Sequence, residues 1–176
     1  MTKNYNSDSA KMITPISIDE VGFFNLKQYS MYNNVSEIQV SYKPENTIDF
    51  KIESSRETFS LVLNKWESNL IEMQEEVKVL LLNRNNKVLG IYSLAKGGIT
   101  SCVVDIRIIL AVALKTMATG IILIHNHPSG NLNPSTDDKK ITEQLNTSCK
   151  LLGISLLDHL IITSLDYFSF ADEGML

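Results

Sequence analysis

A chain of 176 residues, 44% hydrophobic and 20% charged, has the apolar content for one well-packed domain and too little length for two large ones. Its net charge of -4 argues against an affinity built mainly on neutralising nucleic-acid phosphates, although it leaves room for a local basic patch. Two cysteines, Cys102 and Cys149, exclude a disulfide framework and a CxxC metal site, and no apolar run approaches the roughly 20 residues of a membrane span.

The start, "MTKNYNSDSAKM", is polar and lacks the apolar stretch of a secretory signal, so a cytoplasmic protein with reduced thiols is expected. Residues 1–36 are expected to form a polar, partly disordered segment, and residues 37–176 the folded domain. "EIQVSYK" (37–43) alternates Ile38, Val40 and Tyr42 and predicts a strand, followed by a loop at Pro44 and Asn46. "SSRETFSLVLNKWESNLI" predicts a helix. Ser54 and Glu57 have capping-box spacing, and Phe59, Val62, Leu63, Trp66 and Leu70 share one face.

"EEVKVLLLNRNNKVLGIYSLA" predicts a hairpin with an Asn-rich turn at 83–87, its first strand buried on both faces from Val77 to Leu82. Gly97 and Gly98 break the chain. A helix is then expected from about Asp105 to Ala118, with Ile106, Ile109, Leu110, Ala113 and Met117 inward and Gly120 ending it. "IILI" (121–124) predicts a short buried strand, and Ser135–Leu152 a helix stopped by Gly153. "ISLLDHLIIT" and "YFSF" close the chain as strands. Strands alternating with helices predict an α/β fold, a three-layer-like sandwich of one mixed sheet with flanking helices.

The chemistry concentrates in "LIHNHPSGNLNPSTDD" (123–138). Residues i and i+2 of a strand point to one side, so His125 and His127 project together while Asn126 faces away. Two imidazoles make half of a zinc site, which needs a third protein ligand. Ser135 is a natural N-cap, and Asp137 and Asp138 fall in the first helical turn, where a carboxylate can turn back to the strand end. Each part has an ordinary explanation, since isolated HxH pairs are common and Ser135 with Asp138 fits a capping signature without metal. Together they make a far more specific pattern, HxHP followed after six residues by Ser-x-x-Asp.

"HNHPSG" followed by "PSTDD" resembles the JAMM signature of the MPN (JAB) domain metalloproteases, and within them the RadC-like JAB domain proteins often labelled DNA repair proteins. "VKVLLLNRNNKVLG", "KGGITSCVVDIR", "LLDHLIIT" and "YFSFADEG" resemble that branch in the same order, from about residue 54 to the C-terminus. The resemblance implies a cytidine-deaminase-like fold and one zinc ion (Zn2+) held by His125, His127 and Asp138, with water in the fourth position. Asp137 fits the ligand position less well by the spacing from Pro128. Ser135 would hydrogen-bond the developing oxyanion. The family takes its general base from a glutamate opening the hairpin's first strand, and here Glu75 and Glu76 compete. Alignment back from Asn83 favours Glu75, which alternation puts with Val77, Val79 and Leu81, whereas Glu76 goes with Lys78. Without the family, either glutamate reads as a solvated strand end.

Three functions follow as expectations. The first is a zinc-dependent metallopeptidase or isopeptidase acting on an unidentified peptide or protein. The second is a DNA-repair or DNA-maintenance factor; larger members carry a helix-hairpin-helix region, and no stretch here reads as one. The third is a metal-binding scaffold without turnover. Asp158 and His159, in an otherwise apolar strand, read first as satisfied core residues and second as support for a metal ligand. Arg107 reads as a solvated helix-start residue, and nothing marks Cys102 as a nucleophile.

Overall fold

The computed structural model describes residue 42 and residues 50–176. The polar segment 1–36 lies outside the described residues, as does the expected strand 37–43 apart from Tyr42, whose hydroxyl donates to the Leu89 carbonyl at 2.6 Å. In chain order the described elements are α1 (Ser55–Leu63), β1 (Glu76–Leu82), β2 (Val88–Lys96), α2 (Ile106–Lys115), β3 (Gly120–Asn126), α3 (Thr136–Leu151), β4 (Ser155–Ile162) and β5 (Tyr167–Ser169).

The strands form one mixed sheet in the order β2-β1-β3-β4-β5. β1 is antiparallel to both β2 and β3, β3 and β4 run parallel across the α3 crossover, and β5 returns antiparallel to β4. Strand alternation divides the apolar residues into two cores. Val77, Val79, Leu81, Ile121 and Leu123 meet Ile109 and Ala113 of α2 and Leu145 and Cys149 of α3. Leu80, Leu82, Ile122 and Ile124 meet Phe59 and Val62 of α1 on the opposite face. β1 and β3 are buried along their whole length because helices cover both faces, which explains their near-continuous apolar sequence. The result is the expected α/β arrangement of helix, mixed sheet and helices. Among the described residues, no helix is long and apolar enough to cross a membrane.

The local signals operate as read at three places. Ser54 caps α1, its hydroxyl accepting from the Glu57 N–H. Asn83 closes the hairpin turn by accepting on Oδ1 from the N–H groups of Asn85 and Lys87. Gly153, at φ +68, ends α3 while the Ile154 N–H reaches back to the Cys149 carbonyl at 3.0 Å.

Two helices end earlier than expected. The apolar stripe of α1 continues to Trp66, but the helix stops at Leu63. The Asn64 side chain donates to the Ser60 carbonyl, and the Lys65 and Trp66 N–H groups bond three residues back, tightening the chain into turns. Trp66 thereby enters the core, its ring 4.5 Å from the Lys78 ammonium. α2 stops at Lys115, and Met117, expected inward, is 71% exposed. Met117 takes the left-handed backbone conformation (φ +54) while the Ala118 N–H bonds the Ala113 carbonyl at 2.9 Å. This is the termination that Gly153 supplies in α3, built on a methionine. Gly120, expected to end the helix, already belongs to β3, where a Cβ would press on the Leu157 side chain.

Candidate metal centre

β3, the central strand, delivers His125 at its carboxyl end, and the His127 N–H extends the ladder by donating to the Ile162 carbonyl at 3.0 Å. The two imidazoles meet through their Nε2 atoms, 2.9 Å apart. Opposite them stands the start of α3, where Ser135 and Asp138 form a reciprocal capping box. The Ser135 hydroxyl accepts from the Asp138 N–H at 3.1 Å, and Asp138 Oδ2 accepts from the Ser135 N–H at 2.7 Å and from its hydroxyl at 2.6 Å. The cap therefore aims the carboxylate. Oδ1 lies 3.1 Å from His125 Nε2, and Oδ2 lies 3.7 Å from His127 Nε2.

Ligand atoms from His125, His127 and Asp138 all lie within 4.8 Å of one another. Ligands about 2.0–2.1 Å from a tetrahedral zinc sit roughly 3.3 Å apart; His125 Nε2 lies near that spacing from both His127 Nε2 (2.9 Å) and Asp138 Oδ1 (3.1 Å), and the other carboxylate oxygen, Oδ2, is 3.7 Å from His127 Nε2. Tautomer chemistry supports the fit. His127 Nδ1 lies 2.6 Å from the Asn131 carbonyl, which only accepts, so Nδ1 carries the proton and Nε2 turns its lone pair inward. A lone pair and a carboxylate thus face one point, an arrangement that calls for a cation or a proton between them. Burial opposes ionisation of Asp138, but hydrogen bonds from His125 and His127, made when those rings also carry a proton on Nε2, and from Ser135 outweigh it and hold the carboxyl well below the usual range. The hydrogen bond to Asp138 raises His127 above its ordinary value; burial opposes the rise and the Asn131 carbonyl adds to it. Asp137 points elsewhere, its exposed carboxylate 3.4 Å from the Lys140 ammonium.

The two glutamates part company. β1 pairs Val77 with His125, and residues opposed across an antiparallel ladder share a face. Glu75, two residues before Val77, therefore lies on the histidine face. Its carboxyl is pushed up by burial and also responds to the charges of His125, His127 and Asp138. Its backbone is clamped, with its N–H on the Gly98 carbonyl at 2.8 Å and its carbonyl accepting from the Gly97 N–H at 2.7 Å. Gly97 has to be glycine, because a Cβ there would lie 2.3 Å from the Ser101 carbonyl oxygen. Glu76 faces the other way and is only 1% exposed, so it is no solvated strand end. Its carboxylate lies 3.1 Å from the Lys78 ammonium and 3.0 Å from that of Lys96.

Two residues matter more than their sequence signal shows. Asn126, between the histidines, accepts from the Glu76 N–H at 2.7 Å and donates to the Ile71 and Gln74 carbonyls at 2.7 and 2.9 Å. It ties the segment before β1 to β3. His159, on β4, lies with its Nε2 2.9 Å from His125 Nδ1. Its neighbour Asp158 serves the core instead, accepting from Ser169, Ala171 and the His159 N–H. Burial raises the Cys102 thiol, and the charges of Glu75 and Glu76 add to the rise, so it stays protonated. Arg107 is occupied by its own N-cap, Asp105, at 2.7 Å.

Residues 52–175 match the family model described as RadC-like JAB domain. The chain belongs to that family. It is 46% identical over 126 residues to a UPF0758 protein of Flavobacterium johnsoniae, covering 71% of this chain and 53% of that one. It is 46% identical over 104 residues to a UPF0758 protein of Porphyromonas gingivalis, covering 58% and 46% of the two chains. A UPF0758 protein of Chlorobaculum parvum is 39% identical over 129 residues, covering 73% and 57%. The chain spans about half the length of the curated relatives it matches. The chain is a RadC-like JAB domain with a candidate His-His-Asp metal site.

Proposed function

We propose that the domain is a zinc-dependent metallopeptidase or isopeptidase of the JAMM type. The observation that carries this reading is the placement of Glu75. A half-buried carboxyl stands in the field of three convergent ligand residues, while its neighbour Glu76 is engaged by two lysines on the other face. A site meant only to hold metal needs no such fourth group. Two imidazoles and one carboxylate suit zinc and leave a position open to water. A zinc ion held there supplies Lewis acidity toward a water and toward a carbonyl oxygen.

The chain's own residues supply the rest. Glu75 takes the proton of the water that attacks the amide carbon, and the raised pKa of its carboxyl lets it retain that proton. It then delivers the proton to the nitrogen as the carbon–nitrogen bond breaks. Ser135 turns its hydroxyl toward the developing oxyanion. Asp138 Oδ2 tolerates the loss because it keeps the Ser135 N–H at 2.7 Å. The peptide or protein that enters is set by surfaces beyond these residues.

Incubation with a mixed peptide and isopeptide library, read by mass spectrometry, tests the reading. Glu75→Gln should retain zinc and fold while lowering turnover about 10²–10⁴-fold. Zinc uptake by the wild type with no cleavage of any member would replace the peptidase by a metal-binding scaffold.

A further inference from the structure

The His159 ring is 1% exposed and stacked on Phe170 with centroids 4.7 Å apart. Its two nitrogens touch two parts of the metal site. Nε2 lies 2.9 Å from His125 Nδ1, and Nδ1 lies 2.6 Å from Thr142 Oγ1 on α3.

We infer that His159 is a positioning residue that, together with Thr142, fixes the tautomer of His125 and so presents its Nε2 to the metal. The inference rests on the metal-site reading of His125, His127 and Asp138. The direction of every bond follows from one atom that can only accept. Thr142 Oγ1 lies 2.5 Å from the Asp138 backbone carbonyl, the helix residue four positions earlier, so the hydroxyl proton is committed there. Were it turned toward His159 instead, two acceptors would be left facing each other at that distance. Thr142 Oγ1 must therefore accept from His159 Nδ1–H.

A neutral imidazole carries one N–H. With it on Nδ1, His159 Nε2 is an acceptor, and the atom facing it, His125 Nδ1, must be the donor. His125 Nε2 is then bare, and it is the atom 2.9 Å from His127 Nε2 and 3.1 Å from Asp138 Oδ1. Asp138 thus acts twice. Its carboxylate is a candidate ligand, and its backbone carbonyl sets, through three hydrogen bonds, the nitrogen with which His125 binds. Partners of this kind raise the basicity of a ligand histidine and lock its ring, and their loss commonly weakens metal binding about 10–100-fold.

Histidine ¹⁵N chemical shifts and long-range ¹H–¹⁵N correlations on the full chain test the relay directly, with and without zinc. His159 should carry its proton on Nδ1 in both states, and His125 should carry it on Nδ1 with zinc bound. A His159 protonated on Nε2 overturns the inference. A second measurement is zinc affinity by chelator competition in Thr142→Val, which removes the acceptor, and Thr142→Ser, which keeps it. The Val variant should bind at least about 10-fold more weakly and the Ser variant close to wild type. Equal affinity in the Val variant and wild type also overturns it. Should Thr142→Val fail to fold, the wild-type spectra decide alone. A wild type that takes up no zinc fails the metal-site reading, and the spectra of the metal-free protein still decide the relay.

Discussion

The side chain of Asn126 holds the backbone N–H of Glu76 at 2.7 Å, so the residue between the two histidines secures the strand that presents Glu75. His125 and His127 face the site while Asn126, between them, works on the opposite side. There it also donates to the Ile71 and Gln74 carbonyls. Asn126→Ala should cost about 3 kcal/mol, because it strands buried backbone groups without partners. Urea unfolding measures this. The same variant should keep zinc but lose turnover, as Glu75 is released from its register.

The pH dependence has a definite sign. His127 is raised above its ordinary value, so its proton stabilises the metal-free fold fully below about pH 6.5. That contribution disappears as pH rises through the higher folded value. The metal-free domain should therefore become less stable as pH rises from about 6.5 through that folded value. Zinc needs His127 neutral, so its affinity should move in the opposite sense, rising about tenfold per pH unit and levelling off above the folded pKa. Calorimetric titration across this window, with thermal melts in chelator, checks both limbs.

Removal of metal should leave the domain folded. The apolar clusters on the two faces of the sheet contain none of the three candidate ligands. Excess chelator should lower the melting temperature by about 10 °C, the linkage of one tightly bound ion, and leave a single cooperative transition. Loss of the transition at room temperature would make the ion a structural one.

Met117 offers a stability test remote from the site. A methionine in the left-handed region bears a steric cost of about 1–2 kcal/mol that glycine escapes. Its side chain is exposed, so little packing is lost on its removal. Met117→Gly should raise stability by about 1 kcal/mol, and Gly153→Ala, at the matching position of α3, should lower it by a similar amount. Chemical denaturation of both variants measures the pair.

Where the physics is local, the sequence alone was decisive. Strand alternation put His125 and His127 on one face, Asn126 on the other, and Glu75 and Glu76 on opposite sides of β1. Capping preferences marked Ser54 and Ser135, whereas Asp138 was separated from Asp137 by the JAMM resemblance, through its spacing from Pro128. Apolar periodicity placed Trp66 in the core but overran the end of α1, and it misplaced Met117, because a stripe records which residues are apolar and not where the backbone leaves the helix. Only the tertiary structure decided what those residues meet. Asn126 and its partners are 50 to 55 residues apart, and the His125–His159 contact spans 34. Glu76 and Lys96 meet only because β2 folds back along β1. Hydrogen bonds and ion pairs between distant residues leave no period in the chain. They depend on strand register and on the packing of α3 against the sheet, and both arise only when the two cores close.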